Sequence, residues 1–203
     1  MKDFKGKTAV ITGGASGIGR AMGELFLGKG MNVVLADIEQ SALDSTVDAL
    51  AGAGDCIGVV TDVSKADSVQ ALAAAAVERF GGIHLACNNA GVFAGGLLWE
   101  ESLADYQWQM DVNVWGVVHG IRSFVPVMAA QDSECHLVNT ASMAAVTAMP
   151  YSGIYHMTKH AVLALSESLY HELAFHVPNV KVSVLCPEAI NTGIARSERN
   201  RPA

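Results

Sequence analysis

The sequence predicts an α/β protein of three layers: a doubly wound parallel β-sheet with helices on both faces. Three observations carry that expectation. Short β-branched runs alternate strictly with longer Ala/Leu-rich stretches of helical period. The runs are apolar almost throughout, as strands covered on both faces are. The first run leads directly into a glycine-rich turn, "TGGASGIGR" at 12–20, followed by a helical stretch.

The strand candidates, in order, are 7–12, 32–37, 56–61, 83–89, 135–140 and 180–186, each a short run rich in Val, Ile, Leu and Cys. Between them, helices are expected over 17–29, 40–51, 65–80, 102–130 and 152–176. In "SKADSVQALAAAAVERF" Ser64 is the expected N-cap, an acidic first turn follows, and Gly81-Gly82 supplies the stop. With no repeat, linker or low-complexity tract, residues 1–203 are expected to form one domain.

Composition narrows the function. At 203 residues the chain can bury one sizeable core. Its apolar fraction of 51% is combined with few aromatics and much Ala and Gly, which suits thin, closely packed helix–sheet layers. A net charge of −7, with no basic run of five or more, argues against nucleic acid and anionic membrane surfaces as partners. Cys56, Cys87, Cys135 and Cys186 lie in or beside apolar runs without a C-x-x-C pair, so reduced core thiols in a cytoplasmic protein are expected. Strand-like sequence begins by residue 7, so no secretory leader is expected, and no apolar run reaches the roughly 18 residues of a membrane span.

The chemistry is concentrated in two places. Gly13, Gly17 and Gly19 permit a tight turn and close approach of backbone to a pyrophosphate, whose charge then faces a helix N-terminus. Asp37, at the end of the next strand, can accept both hydroxyls of an adenosine ribose and would repel a 2′-phosphate. Neither Ser16 nor Ile38 is basic, so NAD is expected over NADP. The second place is "YSGIYHMTKH" at 151–160. Tyr155 and Lys159 are four apart on one helix face. A phenol of pKa about 10 is a poor base at neutral pH. A nearby ammonium and an oxidised nicotinamide ring should favour phenolate by roughly 1–3 units. Tyr151 lacks such a partner. His156 and His160 have the spacing of a helical metal pair but no third ligand, so no metal is expected, and they are assigned to the site rim or a subunit contact.

These motifs resemble the short-chain dehydrogenase/reductase family, of the type with a single Rossmann domain, and the resemblance runs along essentially the whole chain. "TGGASGIG" is similar to the family's phosphate loop, bringing Gly13, Ser16, Gly17, Ile18 and Gly19 to the cofactor. "TDVS" is similar to the segment whose acid, Asp62, meets the adenine, with Val63 beside it. "NNAG" resembles the motif under the cofactor and brings Asn89, Ala90 and Gly91. Asn113, Ser142, Tyr155 and Lys159 resemble the catalytic tetrad. The resemblance implies that Tyr155 is the general acid/base and Ser142 hydrogen-bonds the substrate oxygen. Lys159 would tune the tyrosine and hold the nicotinamide ribose, and Asn113 would hold a relay water. Singly, Ser142 reads as a strand-end cap and Asn113 as a buried amide satisfying backbone; the joint pattern favours the catalytic reading. The Tyr–Lys spacing disfavours enoyl reduction.

Two departures bear on the site. In "CPEAINT" Glu188 occupies a slot where the family usually has glycine; it is either strained there or directs a carboxylate toward the substrate loop. Pro187, Ile190 and Thr192 still match and imply a bracket for the nicotinamide. The family's seventh strand and covering loop do not follow, so the chain is expected either to be truly shortened or to be the ordered part of a longer one. The sticky edge of a sixth strand and a polar, Arg-rich ending that reads as passing into disorder favour the second. Phe93, Leu98, Met143, Val146, Met149 and Tyr151 are the expected substrate-lining residues, suited to an apolar or aromatic secondary alcohol or its ketone. The resemblance also implies a homodimer or homotetramer. Competing readings are a non-catalytic NAD(H) sensor and an NADPH-dependent 3-ketoacyl reductase; the intact Tyr155–Lys159 pair opposes the first, the missing basic residues the second.

Overall fold

In the computed structural model, which describes residues 1–202, all six expected strands are present. They are β1 (Thr8–Thr12), β2 (Asn32–Asp37), β3 (Cys56–Val60), β4 (Leu85–Asn88), β5 (Cys135–Thr140) and β6 (Val180–Leu185). All pair in parallel, in the order β3-β2-β1-β4-β5-β6. The order reverses between β1 and β4, where Ile11 stands opposite Leu35 on one side and Cys87 on the other. Loops leaving the ends of β1 and β4 therefore diverge to opposite faces and open a crevice.

The side-chain period of two splits the core into two layers. Val10 and Val34 face Leu72, Phe124, Met128 and Leu137; Ile11 and Leu35 face Leu27, Met31 and Leu43. Each such side chain contributes roughly 1.5–3 kcal/mol by leaving water. The expectation that every strand is covered on both faces holds for β1, β2 and β4. On the edge strands β3 and β6 several positions are partly or fully exposed, because neither strand has an outer neighbour and the helices cover them incompletely.

The helices are α1 (Gly17–Gly28), α2 (Gln40–Leu50), α3 (Ala66–Phe80), α4 (Leu103–Met110), α5 (Gly116–Ala129) and α6 (Gly153–His176). Ser64 is not the N-cap of α3. Lys65 holds that slot without a side-chain bond, and the Ser64 hydroxyl turns back to the Asp62 carboxylate at 2.7 Å. Gly81 does terminate α3, at φ 80°, as a left-handed C-cap. The expected helix 102–130 is interrupted by a π-helical turn, Asp111–Trp115, between α4 and α5. Ser102 and Asp105 form a capping box at its start. π-Turns often mark functional positions, and this one carries Asn113. No helix among the described residues is long and apolar enough to cross a membrane.

The ending expected to pass into disorder instead forms 3₁₀ turns over Gly193–Asn200, kinked at Arg196. Three anchors hold it. Ser197 Oγ accepts the Phe93 N–H at 2.8 Å and donates to the Phe93 carbonyl at 2.9 Å. Arg199 pairs with Glu39 at 2.6 Å, and Arg201 pairs with Asp105.

Candidate active site

At the crevice, the ends of β1 to β5 and residues 187–200 enclose a cleft of about 740 Å³. Its floor is the glycine-rich turn. A Cβ on Gly19 would lie 2.0 Å from the Gly13 carbonyl oxygen, and one on Gly13 would lie 2.9 Å from Ala90 Cα. Only glycine permits this packing. Ser16 occupies the N-cap slot of α1 without a side-chain cap, so the first N–H groups of that helix are left for an anion. The motif at 88–91 ties the floor together. Asn89 N–H and Ala90 N–H both donate to Thr12 Oγ1, at 2.9 and 3.1 Å, and Asn89 Nδ2 donates to the Thr12 carbonyl at 3.0 Å. Behind them runs a buried chain from Asn88 through Asn139 to Ser166. Gly19 lies under this floor, while Gly13, Ser16, Gly17, Ile18, Asn89, Ala90 and Gly91 line the cleft itself.

Asp37 stands at one end. Its two oxygens accept the Ala15 and Glu39 N–H groups, each at 3.1 Å, which leaves acceptor capacity on both. Asp62 and Val63 line the same end. The fold also delivers a cation there that sequence proximity to Ser16 and Ile38 could not show. Arg199 Nε and Asn200 Nδ2 both donate to Glu39 Oε1 at 2.9 Å. These bonds, the Arg199 one foremost, hold the Glu39 carboxyl below its usual range. Pro187, Ile190 and Thr192 line the opposite wall, with Thr192 packed against Gly17.

At the other end, α6 presents Tyr155 and Lys159 on successive turns, and the end of β5 presents Ser142. The Lys159 ammonium is buried, donates to the Thr140 carbonyl at 2.9 Å and lies 5.5 Å from the Tyr155 ring centre. Burial pulls its pKa down to about 8, with Cys186 opposing weakly. The Tyr155 phenol is raised, by burial, while a hydrogen bond from Ser142 works the other way. Burial is thus the larger influence on the phenol. Ser142 Oγ also caps the 3₁₀ turn by accepting the Ala144 N–H at 3.1 Å. Phe93 meets Tyr155 edge-on, ring centres 5.3 Å apart.

Asn113 sits behind the wall, buried. Its Nδ2 donates to the Val92 carbonyl at 2.9 Å and to Thr158 Oγ1 at 3.1 Å, and its Oδ1 accepts the Val92 N–H at 2.8 Å. One lone pair on Oδ1 remains for a relay water. Gly91 borders the gap, its notional Cβ 3.3 Å from Asn113 Oδ1 and 3.5 Å from Lys159 Nζ.

A profile of the short chain dehydrogenases matches residues 7–203. The chain belongs to the short-chain dehydrogenase family. A short chain dehydrogenase/reductase from Burkholderia phymatum, solved in complex with NAD, superposes with a TM-score of 0.98 at 53% identity, covering 100% of this chain and 72% of that one. The 1-deoxy-11-beta-hydroxypentalenate dehydrogenase of Streptomyces avermitilis is 41% identical over 93% of this chain and 70% of its own length. The 2,5-dichloro-2,5-cyclohexadiene-1,4-diol dehydrogenase of Sphingobium indicum is 37% identical over 95% and 76%.

As a short-chain dehydrogenase the protein is an oxidoreductase, and several sequence expectations about its cleft need amending. Phe93, Met143 and Met149 line it, whereas Leu98, Val146 and Tyr151 do not: Leu98 packs over Gly153, and the other two are exposed. Glu188 lines the cleft without strain, since Tyr151, at φ 61°, is the one described non-glycine residue with positive φ. Of the two histidines expected at the rim or a subunit contact, His156 borders the cleft and His160 does not. The His156 ring is buried with both nitrogens bonded to backbone, and His160 Nδ1 lies 2.8 Å from the His156 carbonyl. Trp108, Val112, Ile194 and Ser197 also line the wall, though no local motif marks them.

Proposed function

We propose that the protein is an NAD-dependent dehydrogenase that moves hydride between nicotinamide and an apolar secondary alcohol or its ketone. The observation that carries this is the placement of the Tyr155 phenol, Ser142 and Lys159 in one cleft with an uncapped glycine turn. The floor fits a dinucleotide: Gly13 and Gly19 admit no side chain, and the α1 N-terminus offers free N–H groups to a pyrophosphate. When bound, the nicotinamide accepts or donates the hydride.

The chain's own residues do the rest. Ser142 and Tyr155 hydrogen-bond the substrate oxygen, and Tyr155, as phenolate after its own proton has left past Lys159, takes the hydroxyl proton as hydride departs. A phenol raised by burial needs help to do so. Lys159, held by the Thr140 carbonyl, would supply it through its positive charge and would also bind the ribose hydroxyls, with Gly91 and Asn113 bordering the way out for the proton. Gly13, Ser16, Gly17, Ile18 and Gly19 hold the pyrophosphate, and Asp62 and Val63 the adenine. Asn89, Ala90, Gly91, Pro187, Ile190 and Thr192 flank the nicotinamide half. Asp37 accepts the adenosine ribose hydroxyls and disfavours a 2′-phosphate, supporting NAD over NADP. Phe93, Met143, Met149 and Trp108 supply an apolar wall. The relatives named for a hydroxypentalenate and a cyclohexadiene diol support an alcohol as the reacting group. Exposed Trp115, Tyr170 and Phe175 on the helical face support a homo-oligomer.

The test is reduction of NAD, against NADP, with 1-phenylethanol, cyclohexanol and larger alicyclic alcohols. Tyr155→Phe should lose at least about a thousandfold in kcat while keeping NAD affinity within about twofold. Wild-type turnover in that variant would overturn the assignment of the base.

A further inference from the structure

Next to Tyr155 in the chain stands His156, a residue the hydride chemistry leaves without a task. Its ring is 7% exposed and borders the cleft. Nδ1 lies 2.9 Å from the Ala144 carbonyl oxygen, which can only accept, so Nδ1 carries the hydrogen. The Met149 N–H, which can only donate, points at Nε2 from 3.1 Å. The two partners fix one neutral tautomer between them.

Up to Val146 the segment is held by the 3₁₀ turn; beyond it, as far as Pro150, the one other bond among the described residues runs from Thr147 Oγ1 to the Met143 carbonyl, at 2.9 Å. After the 3₁₀ turn Met143–Ala145 the chain is irregular to Ser152, and from Thr147 to Pro150 the Met149 N–H is the one backbone group with a hydrogen bond. At its far end the Tyr151 carbonyl accepts the Gly96 N–H at 3.1 Å, with Tyr151 itself at φ 61°. A bulky residue in the left-handed region costs about 1–2 kcal/mol and persists only where its surroundings over-determine it. Met143, Ala144, Thr147 and Met149 of this segment all face the cleft.

We propose that His156 is a positioning residue for the substrate wall: its neutral imidazole clamps residues 144–149 over Tyr155 and so sets the shape of the alcohol site without touching the cofactor. Helix α6 thereby carries the acid/base residue and the clamp on consecutive positions, and the wall moves in register with the phenol. The inference rests on the reading of this end of the cleft as the substrate side. It goes beyond that reading in assigning specificity to a side chain that takes no part in proton or hydride transfer.

The experiment compares wild type, His156→Phe and His156→Gln. The ring of Phe keeps the volume but neither hydrogen bond; Gln supplies one donor and one acceptor. Amide hydrogen exchange over 144–151 should quicken at least about tenfold in His156→Phe, the loss of one to two neutral hydrogen bonds, and recover in His156→Gln. NAD affinity should stay within about twofold in both. With 1-phenylethanol or cyclohexanol as probe, KM should rise about tenfold in the Phe variant with kcat within about threefold. Unchanged exchange over 144–151, or a loss that falls on NAD affinity instead, would overturn the clamp. If His156→Phe does not fold, slow exchange kept in His156→Gln supports the clamp, and fast exchange there overturns it. Exchange is read without turnover, so a wrong assignment of the substrate leaves this arm decisive.

Discussion

Lys159 is the group whose environment makes the sharpest demand. Its ammonium is 3% exposed, its one hydrogen-bond partner is the neutral Thr140 carbonyl, and burial lowers its pKa from 10.5 to about 8. Between those values the unfolded chain binds a proton that the folded one has shed. Stability attributable to this residue therefore rises with pH from about 8 to about 10.5, by roughly 3 kcal/mol in all. The raised thiols act in the opposite sense. Cys56, pushed up to about 11 by burial, and Cys87, to about 12, stay protonated in the fold while unfolded thiols ionise from about pH 9, so they withdraw stability there. The perturbation that isolates the lysine is Lys159→Met, which fits the space and carries no charge. These contributions, and that of Cys135, which burial also raises, are common to the two proteins and cancel in the difference. Urea denaturation of each, without cofactor, from about pH 7 to about pH 10.5 should show the wild type gaining roughly 3 kcal/mol on the variant. A flat difference across that window would refute the reasoning, because it would mean an amine with ordinary solvation or a hidden anionic partner.

Three further outcomes are expected. Asn113→Ala removes three side-chain hydrogen bonds and strands both polar groups of Val92, costing about 2–3 kcal/mol in denaturant unfolding. Gly19→Ala sets a methyl against the Gly13 carbonyl; opening the turn should cost about 1–3 kcal/mol and abolish measurable NAD binding in a fluorescence titration. Glu39→Gln strips Arg199 of its counter-charge beside Asp37, so the ratio of NAD to NADP affinities should narrow about fivefold, and an unchanged ratio would show that Arg199 has no reach to the ribose.

The central strands were legible because parallel strands buried between helix layers must be apolar on both faces, and the edge strands β3 and β6 because they keep the same β-branched run although partly exposed. The ends were less so. Ser64 has every qualification of an N-cap, yet its hydroxyl finds the Asp62 carboxylate first. The π-turn left no local signature, since residues 111–115 read as ordinary helix; what places Asn113 there is Val92, from a different loop. His156 was singled out for its spacing to His160, and the spacing was irrelevant: its partners, Ala144 and Met149, are loop backbone that no side-chain motif encodes.

The sequence by itself determined the order of strands and helices, the glycines of the turn and the types of residue available for acid/base work. Those rest on short-range rules: backbone freedom, side-chain period and the four-residue step of a helix. Tertiary structure alone decided where the charges stand and what they cost. It buried Lys159 beside the Tyr155 ring with a lone carbonyl for company, delivered Arg199 to Glu39 across 160 positions of sequence, and folded the 193–201 segment onto Phe93 and Asp105. Desolvation and ion pairing depend on what else occupies the surrounding few ångströms, and that is set by the whole packed chain rather than by any stretch of it.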